Sequence, residues 1–171
     1  MQQPRINITV THAKYGQPLI AVNSRTENEA TRGVYDLFRM YPDVFPHIRY
    51  DYVRRAIFKT GGTVIVSDGK QLLGALIYKV YKRPHGLALQ GDVLICQIVS
   101  RNQRQGIGSM MMGYLPTGVN LLTTVRESNT EARSFYEKHG FVSMKRTSWK
   151  GGTIPGLVYR QKSGSYLSDC C

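Results

Sequence analysis

Cysteine is scarce, and the little there is forms no framework. Of 3 cysteines, Cys170 and Cys171 are adjacent at the C-terminal end and Cys96 stands alone in an apolar run. This excludes a disulfide scaffold and fits a reducing, cytoplasmic setting. Cys96 reads as a small buried hydrophobe, while Cys170 and Cys171 match no prenylation box. No Cys/His cluster has ligand spacing, so no metal is expected, and no serine-hydrolase elbow is present. No run approaches the ~18 apolar residues of a membrane span. Met1-Gln2-Gln3-Pro4-Arg5 has no apolar signal core, so neither membrane insertion nor export is expected. Repeats and low-complexity segments are also absent. Acidic residues are few: 11 Asp and Glu face 23 Lys and Arg, a formal charge of +12. That imbalance favours polyanionic partners, a nucleic acid or nucleoprotein among them. A solvated basic surface with a site for one anionic ligand is the plainer alternative.

What is present is one domain's worth of chain, read as residues 1–162 with a tail over 163–171. Ile6 to Val10 alternates as a strand does. Thr26-Glu27-Asn28-Glu29 has capping-box spacing and opens a helix with Ala30, Val34, Leu37 and Phe38 on its apolar face. A second helix carries Ile48, Tyr52, Val53, Ala56 and Ile57, and Gly61-Gly62 ends it. Thr63–Ser67, the Asp68-Gly69 turn and Leu72–Tyr81 predict a hairpin. Val93–Val99 predicts a central strand buried on both faces. Ile107, Met110, Met111 and Tyr114 then recur at helical spacing until Pro116. Val119–Val125 is a further buried strand. Ser128–Glu131 caps a helix whose inner face is Ala132, Phe135 and Tyr136, closed by Gly140. Phe141–Arg146 and Leu157–Arg160 are antiparallel strands joined by a loop from Trp149 to Gly156. The pattern is α/β or α+β, with a mixed, mostly antiparallel sheet flanked by helices.

The most informative stretch is Gln103-Arg104-Gln105-Gly106-Ile107-Gly108, between the central strand and the methionine-rich helix. Glycines there allow close backbone approach, and N–H groups at a helix start favour anions. A dinucleotide fingerprint needs three glycines and an NTPase loop needs Gly-Lys-Ser/Thr; both are missing. The stretch resembles the acyl-CoA pyrophosphate loop of the GCN5-related N-acetyltransferases, Gln/Arg-x-x-Gly-x-Gly/Ala. Asn129-Thr130-Glu131-Ala132-Arg133-Ser134-Phe135-Tyr136-Glu137-Lys138-His139-Gly140-Phe141 resembles the same family's later signature.

The resemblance implies an acyl-CoA-dependent N-acyltransferase, with acetyl-CoA the expected donor. The family's phosphate contacts fall on Gln103, Arg104, Gln105, Gly106, Ile107, Gly108 and Ser109, with Arg101 nearby. Its pantetheine-pairing backbone falls on Ile98 and Val99, and its CoA-contacting asparagine on Asn129, which reads equally as a second helix-cap residue. Tyr136 matches the tyrosine that protonates the CoA thiolate; a packed core aromatic is the other reading. No base is assigned: Asp92, Glu127, His47 and His85 are the nearest candidates, and many relatives' strand glutamate is missing.

From Phe141 to Lys162 there are five Lys/Arg and no acid, with Trp149 and Tyr159 interleaved. Arg49, Arg54, Arg55 and Lys59 extend that charge. The family includes tRNA-acetylating toxins and phage enzymes that modify adenine in DNA, so an acceptor amine on nucleic acid is one expectation. A protein or small-molecule amine is a second, and a non-catalytic binding module a third. A homodimer is compatible with all three.

Overall fold

The computed structural model describes residues 7–12, 27–60 and 62–162. Thr26, Gly61, the tail over 163–171 and its two cysteines lie outside the described residues. In chain order the elements are β1 (Asn7–His12), α1 (Glu27–Arg39), α2 (Tyr50–Arg55), a π-helical turn (Ala56–Thr60), β2 (Gly62–Ser67), β3 (Leu72–Val80) and β4 (Val93–Ser100). There follow α3 (Ile107–Met112), β5 (Leu121–Arg126), α4 (Thr130–Lys138), β6 (Val142–Trp149) and β7 (Ile154–Gln161). The strands are ordered β1-β2-β3-β4-β5-β7-β6. Pairing is antiparallel at β1–β2, β2–β3, β5–β7 and β6–β7, and parallel at β4–β5. This is the expected α+β order, helix for helix and strand for strand.

The chain forms two compact units, residues 1–79 with 97–115 and residues 80–96 with 116–171. In the first, the predicted face of α1 is buried: Val34, Leu37 and Phe38 are shielded completely. Each such side chain contributes about 1.5–3 kcal/mol. The second helix is α-helical only to Arg55 and then widens into the π turn, a break that the apolar spacing did not announce. α3 seats on β3 at Gly74, where an added Cβ would fall 2.6 Å from Ile107. Its buried residues are therefore Ile107, Met111 and Met112, followed by Leu115. Met110 is half-buried and Tyr114 exposed, against the sequence expectation.

In the second unit, β4 and β5 pair over three rungs, from Val93–Leu121 to Ile95–Thr123. β4 is not buried on both faces as expected: Leu94, Cys96, Gln97 and Ile98 are half-buried. α4 is capped by Asn129 rather than Ser128, with the Ala132 N–H donating to Asn129 Oδ1 at 3.0 Å. Gly140 is left-handed (φ 78°), and the Phe141 N–H donates to the Tyr136 carbonyl, closing the helix as predicted. The expected Trp149–Gly156 loop is shorter. The strands run on to Trp149 and from Ile154, leaving four residues between them.

Candidate functional site

In the first unit, β4 ends at Ser100 and the chain turns through residues 101–106 into α3. The root of this turn is clamped. The Tyr41 hydroxyl donates to the Ser100 and Arg101 carbonyls at 3.0 and 2.8 Å. Arg101 donates its backbone N–H to Leu73 O at 2.7 Å and its Nε–H to Leu72 O at 2.8 Å. Its Nε–H is thus engaged with β3.

Beyond the clamp, Asn102, Gln103, Arg104, Gln105 and Gly106 are exposed. Arg104 and Gly106 are left-handed, with φ 62° and 77°. A non-glycine residue held there carries about 1–3 kcal/mol of strain, which tends to collect at ligand clamps. At Gly106 an added Cβ would meet nothing within 4 Å, so glycine serves the backbone turn and an open approach, not packing. Ile107 is buried as the anchor of α3; Gly108 is half-buried and Ser109 exposed. Of the two β4 residues expected to pair with pantetheine, Val99 is buried and Ile98 half-buried. Among the described residues this turn holds no carboxylate.

In the second unit, Tyr136 projects from α4 into a dry environment. Its ring packs edge-on against Phe135 and Phe141, at centroid distances of 5.2 and 5.1 Å. Burial pushes its phenol up to about 12; a hydrogen bond with the Thr123 hydroxyl pulls down and the nearby Cys96 charge pushes up. Thr123 is itself buried, and donates its Oγ1–H to the Ile95 carbonyl at 3.2 Å on the last β4–β5 rung. Both readings of Tyr136 from sequence survive this geometry. It is a packed aromatic, and its hydroxyl lies near that of Thr123.

The acid and base candidates are largely committed elsewhere. Asp92 is buried and accepts from Leu89 N at 2.8 Å and from Asn120 N and Nδ2 at 3.2 and 2.9 Å. Glu127 pairs with Arg146 at 3.4 Å. His85 exchanges backbone bonds with Ala88 and stacks on Tyr81. Asn129, expected at CoA, has its carboxamide oxygen occupied by the helix cap. Among the described residues, no group of three or more His, Cys, Asp or Glu is placed to hold a metal ion, and no helix is long and apolar enough to cross a membrane.

The cationic stretch divides between the two faces of its sheet. Tyr159 turns to α4, donating to Glu137 at 2.9 Å and accepting from Arg133 Nε at 3.3 Å. Arg146, aligned with Leu157 and Val125, lies on that same side. Lys145 and Arg160 lie on the other.

Comparison with known proteins bears on both units. Residues 59–143 match the model of the acetyltransferase (GNAT) domain. That stretch of the chain is a GNAT acetyltransferase domain. The chain's fold is that of solved GNAT-family structures at low sequence identity. A GNAT-family acetyltransferase from Bacillus cereus superposes with a TM-score of 0.64 at 15% identity, over 93% of this chain and 98% of that one. The ribosomal-protein-S18-alanine N-acetyltransferase from Escherichia coli gives 0.63 at 13%, over 98% and 100%. Arabidopsis thaliana NAA60 in complex with acetyl-CoA gives 0.57 at 11%, over 77% and 93%. No curated protein sequence matches the chain. Within this GNAT frame, two neighbours of the candidate residues escaped the sequence reading. Tyr41 clamps the glycine turn from about 60 residues away, and Thr123 faces Tyr136 from β5. Neither belongs to a short motif, so only the fold brings them in.

Proposed function

We propose that the protein transfers an acetyl group from acetyl-CoA to an amine carried by a nucleic acid, a tRNA or a DNA base, in the cytoplasm. The observation that carries the donor half is the exposed, carboxylate-free turn at Gln103–Gly106, strained at Arg104 and open at Gly106, in a GNAT domain. Backbone N–H groups from Gln103 to Ser109 hold the pyrophosphate, and the backbone of Ile98 and Val99 aligns the pantetheine arm. Acetyl-CoA supplies an activated thioester. As the amine attacks and the C–S bond breaks, Tyr136 donates its proton to the departing sulfur. A phenol raised to about 12 is a weak acid toward an ordinary thiolate, with a pKa near ~8.5. Desolvation raises the thiolate's proton affinity as well, and narrows that gap. The attacking amine loses its proton to water, since Asp92 and Glu127 already have partners.

The acceptor half rests on charge: +12 overall, and five cations without an acid from Phe141 to Lys162. The test is transfer of labelled acetyl from acetyl-CoA to bulk tRNA, single-stranded DNA, a peptide and a polyamine in parallel. Label in nucleic acid supports the full reading. Label confined to peptide or polyamine keeps the enzyme and replaces its acceptor.

A further inference from the structure

Alternation along the three strands β5, β7 and β6 sorts their side chains onto two faces. Thr123, Tyr159 and Ser143 share a rung, and Tyr159 and Thr123 both meet α4, so this rung and its alternates face the helix. The remaining rungs face the opposite way. They are Leu122–Arg160–Val142, Thr124–Val158–Lys145 and Arg126–Gly156–Thr147. One cation stands on each rung, and successive rungs lie about 6.6 Å apart along the strands.

Three further observations distinguish this face. It is open along its edge, where Lys145 is exposed and Val142 is 63% exposed, and at Thr124, while Leu122 beside Arg160 is buried. Among the described residues these three rungs carry no acid: Glu127 pairs with Arg146 on the α4 side, and Glu131 and Glu137 ride on α4. The Nε–H of Arg160 is buried and meets no acceptor among the described residues, so no carboxylate neutralises that side of the guanidinium. Finally, the face carries an aromatic platform. The Trp149 ring lies over Gly156, where an added Cβ would fall 2.3 Å from the ring, and Trp149 remains 37% exposed.

We propose that this face docks a single-stranded nucleic acid, with Trp149 stacking on a base and Lys145 and Arg160 neutralising phosphates. The pairing of cations with a partly exposed ring favours an unpaired strand over a duplex, whose bases are already stacked, and over an acidic peptide, which has no base to stack. The choice of occupant rests on the nucleic-acid acceptor proposed above; the placement of the surface rests on strand register.

Trp149 is the only tryptophan of the chain, so its emission reports this face alone. Oligothymidylate should quench it saturably, whereas an abasic sugar-phosphate strand and polyglutamate should not. Lys145→Glu with Arg160→Glu should weaken oligothymidylate binding at least tenfold and lower the log–log salt slope by about 0.7 per lost contact. Trp149→Leu should weaken it roughly tenfold with the salt slope unchanged. Arg146→Glu, on the α4 side, should leave binding unaltered. If the double variant fails to fold, wild-type quenching and its salt slope still decide. Acetyl transfer to nucleic acid with unquenched Trp149 overturns this face and leaves the acceptor reading standing. Equal quenching by polyglutamate replaces the nucleic acid with an acidic peptide. No quenching, with turnover on a polyamine alone, overturns both.

Discussion

Burial raises the proton affinity of the Tyr136 hydroxyl to a pKa of about 12, and its bond with Thr123 offsets this only in part. The folded-state value lies above the ordinary ~10, so the folded chain holds this proton more tightly than the unfolded one. The resulting stability is fully present below pH ~10 and is lost as pH rises toward about 12, by roughly 2–3 kcal/mol at the limit. Urea titrations of wild type and Tyr136→Phe between these pH values should therefore diverge in slope, with wild type losing more. Tyr78, also pushed to about 12 by burial, contributes equally to both. Parallel curves would show that the phenol is not desolvated. In catalysis, Tyr136→Phe keeps the ring and its aromatic neighbours, so acetyl-CoA affinity should persist while kcat falls ~10²-fold. Thr123→Val keeps the shape but removes the hydroxyl that lies near that of Tyr136. We expect kcat to fall by about tenfold with KM for acetyl-CoA unchanged. Wild-type kcat in both variants would leave Tyr136 a core aromatic and Thr123 a strand residue.

At the scale of elements, the glycine turn separates conformational need from ligand need. Gly106→Ala meets no atom, so its only cost is the left-handed backbone, about 1–2 kcal/mol, and the variant should fold. Gly106→Asp adds a carboxylate where phosphate is proposed to sit. Calorimetry should show acetyl-CoA binding at least tenfold weaker than in the alanine variant, and equal affinities would displace the site from this turn. The same turn shows which parts of the molecule could be read from sequence. Gly106, the periodic face of α1, the β2–β3 hairpin and the Gly140 cap are local patterns, and each appears as expected, whereas Gly108 falls inside α3. What was misread depends on distant partners. The spacing around Ile107 groups Met110 and Tyr114 with Met111, whereas Gly74 on β3 seats Ile107 and Met111. Ser128 and Asn129 can both cap a helix, and the chain's path out of β5 selects Asn129. Trp149 reads as a loop residue until Gly156 opens a seat for its ring and lengthens both strands. The Tyr41 clamp and the Thr123 bond span distances that no spacing rule covers.

At the scale of the whole chain, neither compact unit is a contiguous piece of sequence. The chain leaves the first unit after Lys79, re-enters at Gln97 midway along β4, and leaves again after Leu115. Residues 1–79 alone therefore contain β1 to β3 and both early helices but lack α3, whose Ile107 and Met111 seat on Gly74. Ile107, Met111, Met112 and Leu115 are all buried, and at about 1.5–3 kcal/mol each their loss is comparable to a typical domain's entire stability of roughly 5–15 kcal/mol. A fragment ending at Lys79 should show no cooperative thermal transition by circular dichroism and should bind a hydrophobic dye. A fragment ending at Leu115 regains those four side chains and should recover part of the transition. If the shorter fragment instead melted cooperatively at the temperature of the full chain, the seat of α3 on Gly74 would not be a stabilising contact. The glycine turn would then have to be held by the Tyr41 clamp and the Arg101 bonds alone.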